Sequence, residues 1–296
     1  MHPSNSNLFS DNMTVRFRKY HGAGNDFLIA DNRDGSLALT VGQVRHLCDR
    51  HTGFGADGLM LLEECPGKDF RMVFYNPDGS SGMMCGNGGR CIVAFAADLG
   101  VISPGDRVLF SASDGDHSAE ISPADEGGSR TVRLKMKDVS GIESFPDEHS
   151  WFLDTGTRHL VKFVSGLKDY PVLAEGPVLR HDPRFAPVGT NVNFVEPETV
   201  QDGTVLHIRT FEKGVEYETL ACGTGIVASA MAAWNDGLPP VSREGDSVRY
   251  LLKAAIADLG VDFIPECSNG VFGASEVWLT GPAQFIGFVE ADLGIL

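Results

Sequence analysis

The chain is 296 residues long, 42% hydrophobic and 22% charged, with a formal charge of −16. That length suggests about two domains, while the acidic balance argues against nucleic-acid or anionic-membrane surfaces, which need clustered Lys and Arg. No stretch of about 18 uninterrupted apolar residues occurs, so no membrane span is expected.

The polar start MHPSNSNLFSDN lacks the basic end and apolar stretch of a signal peptide, so residues 1–13 read as a disordered leader and the cytoplasm as the location. Strand-like runs rich in Val, Ile, Phe and Leu follow at 14–18, 27–30, 58–62 and 70–75. Next comes MMCGNGGRC, residues 83–91, where a cysteine stands before a glycine cluster instead of among bulky neighbours. The stretch behind it places Ile92, Val93, Phe95, Ala96 and Leu99 on one apolar helical face and stops at Gly100.

Strand-like runs resume at 107–111, 131–136, 159–164, 192–195 and 205–210. A second glycine turn and helix, CGTGIVASAMAAWNDG, starts at Cys222 and stops at Gly237, ahead of Pro239 and Pro240. Further strands are expected at 248–252 and 276–280. Strands dominate, and both helices carry enough small residues to pack deep in a core.

The two cysteine units form a repeat. Phe74 and Phe211 each stand eleven residues before their cysteine, and the cysteines are 137 residues apart. Gly55 matches Gly189 and Gly22 matches Gly156, both at an offset of 134, which sets Asn25 against His159. The expected fold class is therefore α+β, with two pseudo-symmetric lobes. Each lobe would be a mostly antiparallel sheet wrapped around a central helix, with the active site in the cleft between them. Residues 14–144 would form the lobe carrying Cys85, joined by a returning strand at 283–296, and 145–282 the lobe carrying Cys222.

A helix N-terminus leaves N–H groups unpaired and carries partial positive charge, so it binds anions and lowers the pKa of a cysteine placed there. CGNG at Cys85 and CGTG at Cys222 each offer such a sulfur beside a carboxylate-binding nest. Two thiols on opposite faces of one α-carbon can invert it, one removing a proton and the other supplying one. The remaining cysteines read as reduced thiols: Cys91 as core packing, and Cys48, Cys65 and Cys267 as bystanders. With no CxxC and no histidine at ligand spacing, no metal is expected. Gly22-Ala23-Gly24 lacks the rest of a dinucleotide turn, and inversion by two thiols needs no cofactor, so none is expected.

With KYHGAGNDF, RHTGFGADG, YNPDGSSGMMCGNGGRC and FEKGVEYETLACGTG in this order, the chain resembles the diaminopimelate epimerases from about Phe17 onward. The resemblance implies cofactor-independent interconversion of L,L- and meso-diaminopimelate, on the route to lysine and peptidoglycan, with Cys85 and Cys222 as the acid–base pair. It implies that Gly86, Asn87, Gly223 and Thr224 receive the α-carboxylate, that Asn25, Asn76 and Asn191 hold the substrate, and that His159 and Glu212 tune the cysteines and the reacting amine. It also implies a small-molecule amino acid as the partner and a homodimer.

Three positions depart from the family pattern: Gly58 where many members have Gln, Thr157-Arg158 where Asn-Pro or Ser-Pro precedes the histidine, and Lys213 where an arginine grips the distal carboxylate. Lysine is a point charge without arginine's planar fork, so Arg158 is expected to compensate by entering the pocket beside Thr157. The rival readings are a two-thiol racemase acting on proline, hydroxyproline or histidine, and a non-catalytic amino-acid-binding protein.

Overall fold

Asn25–Asp31 and Gly58–Glu63 are neighbouring parallel strands whose interiors are apolar on both faces. Phe27, Ile29, Met60 and Leu62 enter one core, while Leu28, Ala30, Leu59 and Leu61 enter another. A sheet buried on both sides needs two covers. Helix α1 (Val41–Cys48) lays Val44 and Leu47 on the outer face, its start fixed by a capping box between Thr40 and Gln43. Helix α2 (Gly86–Asp98) fills the inner face, with Cys91 through Ala96 all buried.

The computed structural model describes residues 14–82, 84–268 and 270–295; the leader expected at 1–13 lies outside them. Among the described residues, eighteen strands join in one hydrogen-bonded network with four α-helices. In the first half, hairpin Thr14–Gly22/Asn25–Asp31 leads through Gly58–Glu63, Phe70–Tyr75, Arg107–Ala112 and Gly115–Ile121 to Ser129–Lys135. Successive pairs run antiparallel, parallel, antiparallel, parallel, antiparallel, antiparallel.

The same sequence of pairings recurs in the second half. It runs from Ser150–Asp154 and Arg158–Phe163 through Asn191–Val200, Gly203–Glu212, Ser247–Lys253 and Asp258–Ser268 to Val271–Asp292. Helix α3 (Val172–Arg180) covers the outer face, where Gly176 lets the backbone lie against the Phe211 ring. Helix α4 (Gly223–Asn235) fills the inner core with Ile226, Val227, Ala230 and Met231. The long strand Val271–Asp292 joins the halves, pairing with Asp258–Ser268 at its start and with Thr14–His21 near its end.

The strand-rich α+β expectation therefore holds, with corrections. Helices α1 and α3 were not expected, the second because it contains Gly176 and Pro177. The expected stops are right, since Gly100 and Gly237 both take positive φ just beyond α2 and α4. The glycine match is off by two: Gly24 and Gly156 share φ near 105° and 107°, so Asn25 corresponds to Thr157, and Phe27 to His159. The slip arises because Gly156 answers to the second glycine of Gly22-Ala23-Gly24 and not to the first. No helix among the described residues is long and apolar enough to cross a membrane.

Candidate active site

Cys85 and Cys222 are the N-cap residues of α2 and α4, both in extended backbone with φ of −111° and −112°. An N-cap is where the chain enters a helix, so its side chain stands beside the unpaired N–H groups of the first turn. Gly88 N–H reaches Cys85 Sγ at 3.3 Å. The two helix ends meet closely: a Cβ added to Gly223 would stand 3.7 Å from Gly86 Cα, with Leu279 Cδ2 within 3.1–3.3 Å of such a Cβ on either glycine. Asn87 secures the junction, its Nδ2 donating to Asn25 Oδ1 at 2.5 Å and to the Ala221 carbonyl at 3.2 Å.

One open cavity of about 2010 Å³ is lined by both cysteines together with Asn25, Asn76, Gly86, Asn87, Thr157, Asn191, Glu212, Lys213, Gly223 and Thr224. Neither Arg158 nor His159 lines it. Arg158 opens strand Arg158–Phe163, and alternation turns its side chain away from the face that Thr157 and His159 share. The expected compensation by Arg158 is therefore absent from this arrangement. No ion pair is formed by Lys213 among the described residues, although its backbone N–H donates to Asn191 Oδ1 at 2.8 Å.

His159 is fully buried and reaches the cavity only through hydroxyls. Its Nε2 lies 2.9 Å from both Thr157 Oγ1 and Thr224 Oγ1, and Thr224 Oγ1 lies 3.4 Å from Cys222 Sγ. Its Nδ1 faces the Asn193 amide Nδ2 at 2.9 Å, and that amide is oriented by the Leu160 carbonyl on one side and the Thr210 hydroxyl on the other. An amide N–H can only donate, so Nδ1 accepts and the imidazole proton sits on Nε2. Burial, and then the charge of Lys213, push the His159 pKa down to about 3 and keep the ring neutral.

The thiols do not follow the expected lowering. Burial pushes Cys222 up to about 12, and the Glu212 carboxylate adds to it against the Thr224 hydroxyl and the Gly225 N–H. Cys85 opens onto the cavity but is ringed by protein, which also raises its pKa against the Gly88 N–H and the Arg90 charge. Removal from water outweighs the helix end in this open arrangement, so both thiols hold their protons. Burial likewise raises Glu212, whose Oε2 accepts from Thr219 Oγ1 at 2.8 Å.

Sequence reasoning missed Asn193, Thr210, Thr219 and Arg90. Asn193 carried a signal, since Asn191 and Asn193 alternate with Val192 and Phe194 in a strand buried on both faces, an unusual place for two amides. Cys91 and Cys48 are core residues, while Cys267 is exposed.

The family model for diaminopimelate epimerase matches residues 17–139 and 151–248. The diaminopimelate epimerase of Chlorobaculum tepidum is 46% identical over 219 residues, 73% of this chain and 82% of its own. That of Flavobacterium psychrophilum is 39% identical over 276 residues, covering 92% and 98%. Among solved structures, a Bacillus anthracis phenazine biosynthesis protein of the PhzF family superposes with a TM-score of 0.71 at 14% identity, over 94% of this chain and 99% of that one. A hydroxyproline epimerase from Agrobacterium vitis gives 0.64 at 17%, over 95% and 93%. At such low identity these two likenesses speak for the fold alone.

Proposed function

The chain belongs to the diaminopimelate epimerase family, and from that premise we propose that Cys85 and Cys222 are the acid–base pair that inverts the substrate's α-carbon. The reaction is the interconversion of L,L- and meso-diaminopimelate, which places the enzyme among the isomerases of lysine and peptidoglycan precursor synthesis. The observation that carries the thiol reading is the meeting of two cysteine-capped helix ends at Gly86 and Gly223, inside one cavity.

With the α-carboxylate on the N–H groups of Gly86, Asn87, Gly223 and Thr224, the α-carbon stands between the sulfurs. One cysteine, as thiolate, takes the α-proton, and the C–H electron pair moves toward the carboxylate, where the two helix ends offset the growing charge. The opposite thiol then gives its proton to the other face. The thiol and thiolate have exchanged places, and the reverse reaction uses them in the opposite roles.

The two cores, each built around one of these helices, support reading 14–144 with 283–296 and 145–282 as two pseudo-symmetric lobes. A cavity of about 2010 Å³ exceeds the roughly 300–1,000 Å³ of ordinary ligand pockets. We therefore read the arrangement as open, with closure of the lobes expelling water from around the bound substrate and bringing the sulfurs to its α-carbon. Asn76, Asn191 and Lys213 would meet the distal amino and carboxylate groups, which a proline or hydroxyproline substrate lacks. Cytoplasmic location and a homodimer complete the reading; Ile286 and Phe288, both more than half exposed on strand Val271–Asp292, offer an apolar face for a second copy.

The test is purified protein in deuterated water, with exchange of the α-hydrogen followed by NMR on L,L-diaminopimelate, proline, hydroxyproline and histidine. Exchange and inversion of diaminopimelate alone are expected. Turnover of an imino acid in its place, or binding without exchange, would overturn the proposal.

A further inference from the structure

Arg90 lies in the second turn of α2, is fully buried, and has no carboxylate partner among the described residues. Its Nη2 donates to Asn87 Oδ1 at 2.7 Å, its Nε reaches the Pro282 carbonyl at 3.4 Å, and its Nη1 is buried with no partner among the described residues. Burying a guanidinium without a counter-ion is costly, and fold stability alone is better served by an apolar residue of similar size. An orphan buried charge calls for an explanation in function.

Its placement supplies one. Helical side chains lean toward the N-terminus, which carries the guanidinium back to the first turn. There, Nη1 stands 3.9 Å from the position of a Cβ on Gly86, and Nε stands 3.1 Å from that of a Cβ on Gly281. Gly86 in turn abuts Gly223, so the charge lies just below the point where the ends of α2 and α4 converge. Through Asn87 Oδ1 it also grips the side chain that reaches both Asn25 and the Ala221 carbonyl.

We propose that Arg90 is a positioning residue that places a permanent positive charge beneath the shared anion site, favouring the Cys85 thiolate and the bound carboxylate, and that it locks Asn87 across the junction. Guanidinium suits this task because it stays protonated in dry surroundings and offers a second contact where an ammonium offers one point. The titratable groups facing it are the thiols of Cys85 and Cys91, and its charge acts on both in opposition to burial. Glu212 acts on Cys85, and Asp26 on Cys91, with the opposite sign, so the balance at Cys85 depends on a cation that stays fixed.

The inference rests on the reading of Cys85 as an acid–base group, and its test separates the two. Iodoacetamide labelling of the full chain, resolved by mass spectrometry across pH, gives the titration midpoint of each thiol without reference to turnover. Arg90→Met should raise the Cys85 midpoint by about one pH unit or more and lower kcat/KM by roughly 100-fold, with the acid limb of the kcat/KM profile moving by the same amount. Arg90→Lys should restore the midpoint to within about 0.3 units and recover only part of the rate, because the contact with Asn87 is weakened.

A wild-type midpoint in Arg90→Met, or the same rise in Arg90→Lys as in Arg90→Met, would overturn the proposal. Should Arg90→Met fail to fold, the unmodified protein still decides: Cys85 is expected to titrate below Cys222, and the reverse order sinks the inference. Failure of the unmodified protein to epimerise diaminopimelate would count against the acid–base reading and leave the labelling result standing.

Discussion

Cys85 and Cys222 occupy the same place on their helices, with nearly the same backbone, yet their thiols meet different surroundings. Cys85 opens onto the cavity, takes an N–H from Gly88 and feels the buried charge of Arg90. Cys222 is buried, faces the Glu212 carboxylate, and touches the Thr224 hydroxyl that ends a chain running through His159 and Asn193 to Thr210. The two halves repeat the cysteine-capped helix end and differ in the side chains around each sulfur. On the proposed mechanism, inversion needs two bases in one geometry but not in one environment: a fixed cation would steady one sulfur, and a neutral hydrogen-bonded relay would serve the other.

The sharpest break in that comparison comes from the sulfurs. Cys85→Ser and Cys222→Ser should each lower kcat by at least about 1,000-fold, since a hydroxyl is far less acidic than a thiol and a poorer carrier of the exchanged proton. Full turnover from either variant would end the two-thiol reading. Next in size is a pair of equivalent glycines, three residues beyond each cysteine. A Cβ at Gly225 would stand 2.3 Å from Asn193 Oδ1 and 3.2 Å from His159 Cε1, whereas one at Gly88 would stand 3.3 Å from Cys85 Sγ. Gly225→Ala should therefore dislodge the relay and cost roughly 100-fold in kcat/KM with several degrees of Tm. Gly88→Ala should stay within about tenfold, helped by the gain in helix propensity. Equal losses at the two sites would show that the relay has no special part in the second half.

How much of this was legible in the sequence follows from how far apart the interacting residues lie. The cysteine turns, their helices and the helix stops at Gly100 and Gly237 are written in short local patterns, because an N-cap and a C-terminal glycine act within one turn. The relay behind Cys222 is assembled by sheet register: Asn193 meets His159 across 34 positions and Thr210 across 17. No local pattern spells such pairings. Arg90 stood in plain view within CGNGGRC, but only its burial without a carboxylate marks it out. Helix α3 was hidden by Gly176 and Pro177, and the slip that set Asn25 against His159 came from pairing Gly156 with Gly22 instead of Gly24, a choice between two nearby glycines that spacing alone cannot resolve.

His159 has Phe27 at the corresponding place, so among the described residues only the second half carries a buried imidazole. Its folded pKa of about 3 lies below the ordinary 6.5, so the unfolded chain binds a proton that the folded chain refuses. The sign follows: the stability tied to His159 is complete above pH 6.5 and is lost as pH falls from 6.5 toward 3. Between pH 6.5 and 4.5 this single group should remove about 2–3 kcal/mol. Chemical denaturation at the two pH values, compared between the wild type and His159→Asn, isolates it from the carboxylates. A wild-type acid slope equal to that of the variant would mean that the ring is protonated in the fold.

The smallest expected effect separates the two cations that depart from the family pattern, Lys213 and Arg158. Lys213 lines the cavity with no ion-pair partner among the described residues, whereas Arg158 projects from the other face of its strand. Lys213→Ala should raise the KM for diaminopimelate by roughly tenfold, the size of one charge-assisted contact with a carboxylate. Lys213→Arg should match or improve on the wild type, because the planar fork holds both carboxylate oxygens. Arg158→Ala should leave KM within about twofold, as expected for a surface side chain away from the ligand. A larger rise in KM for Arg158→Ala than for Lys213→Ala would mean that closure carries Arg158 into the site, and that the distal carboxylate is gripped from the second hairpin after all.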